Sequence, residues 1–148
     1  MGVILNRPGP KTVAELWSDL GGPPCGSRRF VHLGGPVMGP ILAIHTVETL
    51  SDAIVYPGLF FSAQKDKLEA IVQQTEEPFQ VYVGHSGWGP GQLEREMKEG
   101  SWLIHESISD AIFEEDEHLW RRVAKAVGDT ILKEALHLDH LPQDPTLN

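Results

Sequence analysis

The sequence predicts an α+β domain built on one mixed sheet, and three observations lead there. Apolar runs of strand length recur about six times along the 148 residues, yet helix-period stretches separate only some of them. The runs at 30–33 and 40–47 are joined by little more than a Gly/Pro turn, which suggests an antiparallel pair. The length suits a single domain with a proper core, taken here as 1–148 with 137–148 as an extended tail holding Pro142 and Pro145.

Gly2-Val3-Ile4-Leu5-Asn6 reads as a short buried strand, and Arg7-Pro8-Gly9-Pro10 as the turn that ends it. Thr12 and Glu15 stand at the spacing of a capping box, so a helix is expected over about 13–20, with Val13, Leu16, Trp17 and Leu20 on its core face. Strands follow at 30–33, 40–47 and 59–62. A helix starts at Ser62 or Gln64 and runs through Leu68, Ile71 and Val72. Pro78 stops it before a strand at 79–83. Residues 92–99 read as a helix stopped by Gly100, and 102–105 as a further strand. A short helix from Ser109 or Asp110 precedes the longest one, about 116–136. Leu119, Trp120, Val123, Ala124, Val127, Ile131 and Leu132 are expected inward on it, and Gly128 is a possible break point.

The formal net charge of −9 argues against direct nucleic-acid binding and against docking on an anionic membrane, because both need clustered Lys and Arg. Only Arg28-Arg29 and Arg121-Arg122 come in pairs, and the acidic run at 106–117 reads as a solvated face. Cys25 is the single cysteine, so no intrachain disulfide is possible and the thiol reads as incidental. No apolar stretch reaches the roughly 20 residues of a membrane span, and no signal-peptide pattern opens the chain. The cytoplasm is the default compartment.

The candidate site is the stretch from Gly84 to Glu94, where four glycines and Pro90 fall within eight residues between a strand and a helix. Catalytic templates fail there by one position. A nucleophile elbow needs Gly-x-Ser-x-Gly, and Gly84-His85-Ser86-Gly87 is followed by Trp88. The dinucleotide fingerprint has Gln92 where its last glycine belongs, and no P-loop lysine is present, so no cofactor is expected. Two readings remain: a helix start whose backbone N–H groups bind an anion, or a tight structural turn in which Trp88 packs on the core. Glu94 near that helix start is explained by the helix dipole alone. His32, His45 and His105 sit late in expected strands and His85 just after one. Each reads better as an isolated histidine than as a ligand, and no metal site is expected.

The motifs Gly2-Val3-Ile4-Leu5-Asn6-Arg7-Pro8, Leu33-Gly34-Gly35-Pro36-Val37, Gly87-Trp88-Gly89-Pro90-Gly91-Gln92-Leu93-Glu94-Arg95-Glu96 and Gly100-Ser101-Trp102, with Ile112-Phe113 and Trp120 downstream, resemble the AlgH/YqgE family of bacterial proteins in order and spacing. The resemblance implies a largely antiparallel sheet bent toward a pseudo-barrel with flanking helices. It implies no catalytic mechanism, and the family name carries a proposed link to transcriptional regulation. Members usually have a longer segment ahead of the first motif, so either the start lies further upstream or a sheet edge is left for a neighbouring chain, as in a homo-oligomer. His85 stands where Tyr is common, and Pro90 where Ala is common.

The function expected is a non-enzymatic binding or transcription-related regulatory protein. Asn6, Arg7, His85, Trp88, Gly89, Gly91, Gln92 and Glu94 would contact a protein partner or a small anionic ligand. The alternative is a hydrolase or transferase using His85 with Glu94 or Glu96 as acid and base.

Overall fold

The computed structural model describes residues 1–74, 76–105, 112–113 and 118–136, and everything below concerns these. Strands β1 (Pro8–Thr12), β2 (Phe30–Leu33), β3 (Val37–His45), β4 (Ala53–Tyr56), β5 (Leu59–Ser62) and β6 (Phe79–His85) form one sheet in the order β1-β2-β6-β3-β5-β4. Only β2–β6 is parallel; the other four pairings are antiparallel. The fold is therefore α+β with a mixed, largely antiparallel sheet. It is open, with β1 and β4 at its edges, so the pseudo-barrel is not closed by strand pairing. Helices α1 (Val13–Asp19), α2 (Lys65–Gln73), α3 (Gln92–Lys98) and α4 (Leu119–Leu136) flank it, with one 3-10 turn at Glu48–Leu50.

The two-residue period of the strands splits the core between the two sheet faces. Val31, Ala43, Phe79 and Val81 meet Val13 and Trp17 of α1 and Leu68, Ile71 and Val72 of α2 on one face. Leu42, Ile44, Leu59 and Tyr82 meet Val3, Leu5, Ile112 and Phe113 on the other. The capping box is formed as expected: Glu15 N–H donates to Thr12 Oγ1 and Thr12 N–H to Glu15 Oε2. Gly21, at φ +70°, ends α1 in a Schellman turn, its N–H going to Ser18 O and that of Gly22 to Trp17 O.

Several expectations are corrected. The run 2–6 is not a strand: Gly2 makes one bridge to Ser86, Ile4 N–H donates to Gly34 O, and Val3 and Leu5 cover the second core cluster. The expected turn at 7–10 instead enters β1, where prolines are tolerated because an edge strand leaves donors unpaired on one side. β2 and β3 do not pair with each other, since β6 lies between them and pairs with both. β4 escapes the alternation test because all four of its residues are exposed. Residues 102–105 form no strand and pair with none of the six strands of the sheet. Helix α4 runs unbroken through Gly128 and buries Leu119 and Val127, while Trp120, Ile131 and Leu132 stay exposed. Trp120 is turned away from the Leu119 face, and Ile131 looks across a gap of about 540 Å³ toward Trp102–His105. The tail, and most of the short helix expected from 109, lie outside the described residues.

Two buried polar devices tie the β3–β5 loops to the core. Val47 N–H donates to His45 Nδ1, which leaves the ring proton on Nε2; Nε2 donates to Ser62 Oγ at 3.0 Å, and Ser62 Oγ donates to Leu50 O. Burial holds the His45 pKa below its ordinary 6.5, against the raising effect of Asp52. Asp52 in turn receives Lys67 Nζ at 2.7 Å and the N–H groups of Ala63 and Gln64, capping α2 from another loop. Lys67 first, then Ala63, hold its carboxyl down at about 2.

The signs follow from linkage. His45 with a depressed pKa contributes stability that is full above about pH 6.5 and is lost as pH falls, because the unfolded chain takes a proton that the folded one refuses. The urea midpoint should fall between about pH 7 and pH 5, and less so in His45→Gln. Asp52 contributes above its ordinary 3.8 and loses its effect toward about pH 2. Asp52→Ala should cost about 1–2 kcal/mol at neutral pH by chemical denaturation, through the lost cap and ion pair.

Candidate functional site

The loop after β6 is shaped by a crossing of backbones. β2 and β3 flank β6, so the short connection Gly34-Gly35-Pro36 must pass over the end of β6. A Cβ on Gly34 would lie 2.4 Å from Gly84 O, and one on Gly35 would lie 2.2 Å from His85 C and 2.5 Å from Ser86 N. Gly84 adopts φ +75° beneath this crossing, and its own Cβ would meet Gly35 O at 2.7 Å. On the other side Gly2 and Ser86 exchange both N–H···O bonds, at 2.9 and 2.8 Å. The Trp88 ring lies over Gly2, 3.2 Å from where a Cβ would stand. Three sequence-distant glycine motifs thus meet backbone to backbone.

Trp88 is held from its other side by α3. Its Nε1 donates to Glu96 Oε2 at 3.1 Å, Trp102 Nε1 donates to the same oxygen at 3.0 Å, and Gln92 Nε2 donates to Glu96 Oε1 at 2.8 Å. The two indoles meet edge to face, centroids 5.7 Å apart. Gln92, and next Trp102, hold the Glu96 pKa below the usual carboxylate range. Gln92 Oε1 accepts from Gly89 N–H at 3.0 Å and Gly89 O from Gln92 N–H at 3.0 Å, closing the turn before α3. Gly91, at φ +71°, is the N-cap, and a Schellman turn at Gly100 (φ +73°) delivers Trp102 back to Glu96.

The expected site residues separate into groups. Trp88, Gly89, Gly91 and Gln92 belong to this closed network. His85 pairs with Val37, packs its ring against Gly39, and leaves Nδ1 buried without a hydrogen-bond partner. Glu94 is exposed, and neither it nor Glu96 has a hydrogen bond or ion pair with His85 among the described residues. Asn6 and Arg7 are exposed. Arg7 O accepts from Leu33 N–H, next to the crossing, while its guanidinium makes no hydrogen bond or ion pair among the described residues. His32 and His45 sit on opposite faces of the sheet and do not converge. His32 meets Tyr82 edge to face, with His32 Nε2 and Tyr82 Oη both buried and unpartnered. Trp102, read from sequence as a strand residue, belongs to the network. Its signal was the Gly100-Ser101-Trp102 spacing after α3.

Gly35→Ala should destabilise the fold by about 3 kcal/mol or more in urea denaturation, because the clash is with backbone that cannot turn aside. Glu96, with its depressed pKa, contributes stability above the ordinary 4.5 that is lost as pH falls through the lower folded value. Tryptophan emission should change on acidification below about pH 4.5, and in Glu96→Ala the changed emission should already be present at neutral pH.

The family model described as DUF179, AlgH-like, matches residues 1–132. A UPF0301 protein of Myxococcus xanthus is 34% identical over 134 residues, covering 86% of this chain and 74% of the relative. One from Chlorobium limicola is 31% identical over 140 residues (86% and 70%), and one from Streptomyces avermitilis is 30% identical over 160 residues (100% and 79%). Among solved structures, the solution structure of the AlgH protein from Pseudomonas aeruginosa aligns with a TM-score of 0.69 at 24% identity, over 97% of this chain and 79% of that one, a likeness of fold. The family model over residues 1–132 and relatives 30–34% identical agree: the chain belongs to the AlgH-like UPF0301 family.

Proposed function

We propose that this chain is a non-enzymatic binding protein, and that it acts through a protein partner seated on the Trp88 loop and the stretch that follows α3. The observation that carries this reading is a ridge of large apolar side chains next to the loop: Trp102, Leu103 and Ile104 are 43%, 53% and 64% exposed, and Trp102 is joined to Trp88 through Glu96. Contiguous exposed apolar surface of this kind is characteristic of interaction sites. Arg7, exposed and without an ion-pair partner among the described residues, supplies a charge that can be read by an acidic rim on the partner.

A protein partner is favoured over a small anion because two of the loop's donors are committed to its own closure. The N–H groups of Gly89 and Gln92 already have acceptors within the turn. The hydrolase or transferase alternative needs an imidazole and a carboxylate on one reacting atom. It draws no support from a Glu96 committed to two indoles and an amide, or from a His85 ring packed on Gly39. A transcription-related role for this acidic chain would run through another protein rather than through DNA.

The double variant Leu103→Asp/Ile104→Asp and the single variant Arg7→Glu change exposed side chains, so each should leave stability within about 0.5 kcal/mol. Cross-linking in extract followed by mass spectrometry should recover a partner with the unaltered chain and lose it with both variants. The same partner recovered equally by all three proteins would overturn the proposal.

A further inference from the structure

The two edges of the open sheet are built differently. β1 is closed to further pairing: Pro8 and Pro10 have no N–H to offer, and Lys11 is held by an ion pair with Asp19 of α1. β4 carries no proline and no charge. All four of its residues are exposed, Ile54 at 69%, Val55 at 55% and Tyr56 at 57%. Successive side chains point to opposite faces, so both faces of the strand are bare. Among the described residues no strand lies on its outer side. Its one irregularity is Val55, the extra residue between the pairs Ile54–Phe60 and Tyr56–Leu59, which has no opposite number in β5. A bare, apolar edge of this kind is a template for another strand.

We propose that β4 pairs with β4 of a second copy of this chain, antiparallel about a two-fold axis, joining two six-stranded sheets into one. Charge points to this occupant. Each chain carries a formal net charge of −9, so two copies repel over most of their surface. From Ala53 to Gln64 there is no charged residue, and Asp52 just ahead is neutralised by Lys67 Nζ at 2.7 Å. The β4–β5 hairpin is therefore an edge at which a second copy meets no like charge. The strand also suits itself. With the axis at Ile54 or Val55, its middle residues, β-branched side chains of the two copies face one another, a favoured cross-strand combination. The contact is small, three large apolar side chains from each copy, so the dissociation constant is on the order of 10–500 µM. β4 shares no residue with the Trp88 loop, and the pairing does not rest on the function proposed for that loop.

The test is sedimentation equilibrium of the full chain from about 5 µM to about 1 mM, where the mass should rise reversibly from one chain to two. Val55→Lys places on an exposed position the charge with which natural edge strands refuse a partner, and should weaken association about tenfold or more. Leu103→Asp/Ile104→Asp, on the other apolar surface, should associate as the unaltered chain does. In a Cys25→Ser background, Ile54→Cys or Val55→Cys should oxidise to a disulfide-linked dimer, because a two-fold antiparallel pair brings its central residue against its own copy. A single-chain mass at every concentration would overturn the proposal. So would association unchanged in Val55→Lys, association lost in Leu103→Asp/Ile104→Asp, or no disulfide from either cysteine variant.

Discussion

Everything in this fold depends on one close approach of backbones, the passage of Gly34-Gly35-Pro36 over the end of β6. Strand spacing is about 4.8 Å, so a chain leaving β2 and entering β3 with β6 between them must cover roughly 10 Å in very few residues. It can do so only by lying directly on the backbone of Gly84 and His85, where no side chain fits. The crossing fixes the register of the central three strands, and with it the faces on which Tyr82, Val81 and Ala43 enter the two halves of the core. It also sets where Gly2 meets Ser86 and where Trp88 comes to lie. The candidate site is thus an outgrowth of the topology, and Gly84 is explained before any ligand is invoked.

How much of this was legible in the sequence depended on whether the signal was local. The capping box at Thr12 and Glu15, the α2 stripe of Leu68, Ile71 and Val72, and the stop at Gly100 are written in short windows, and each is found where expected. The β2–β3 pairing was misread because a short Gly/Pro link ordinarily means a hairpin, and the insertion of a strand some forty residues later has no local signature. Edge strands were the other blind spot. β1 carries two prolines and β4 buries nothing, so neither shows the period-two pattern that marks a half-buried strand. The order and spacing of the apolar runs carried the α+β class, while family resemblance picked out the glycine motifs without their physical reason.

The sequence singles out the stretch from Gly84 to Glu94 but not its wiring. In the sequence Glu96 stood only as an alternative to Glu94 for an acid or base beside His85. In three dimensions it is the acceptor for both indoles and for the Gln92 amide, while Glu94 stays in solvent. A carboxylate that accepts from two Trp N–H groups reconciles their apolar area with their one obligatory donor. This lets Trp88 cover Gly2 and lets Trp102 stand partly exposed beside it. Of the turn residues that looked poised to cradle an anion, Gly89 and Gln92 use their N–H groups to close the loop.

The crossing has a consequence for how the chain reaches this state. Synthesis delivers β2 and β3 well before β6, so for that interval two apolar strands joined by a short link have only each other for backbone pairing. The hairpin they can form is non-native and must be undone, because β6 has to slide between them and hydrogen-bond to both. The native centre of the sheet is therefore closed late, by contacts of high sequence separation, and the loss of loop entropy falls on that step. The segment that makes the finished sheet compact is thus also the place where the unfinished sheet can pair wrongly before its middle strand arrives.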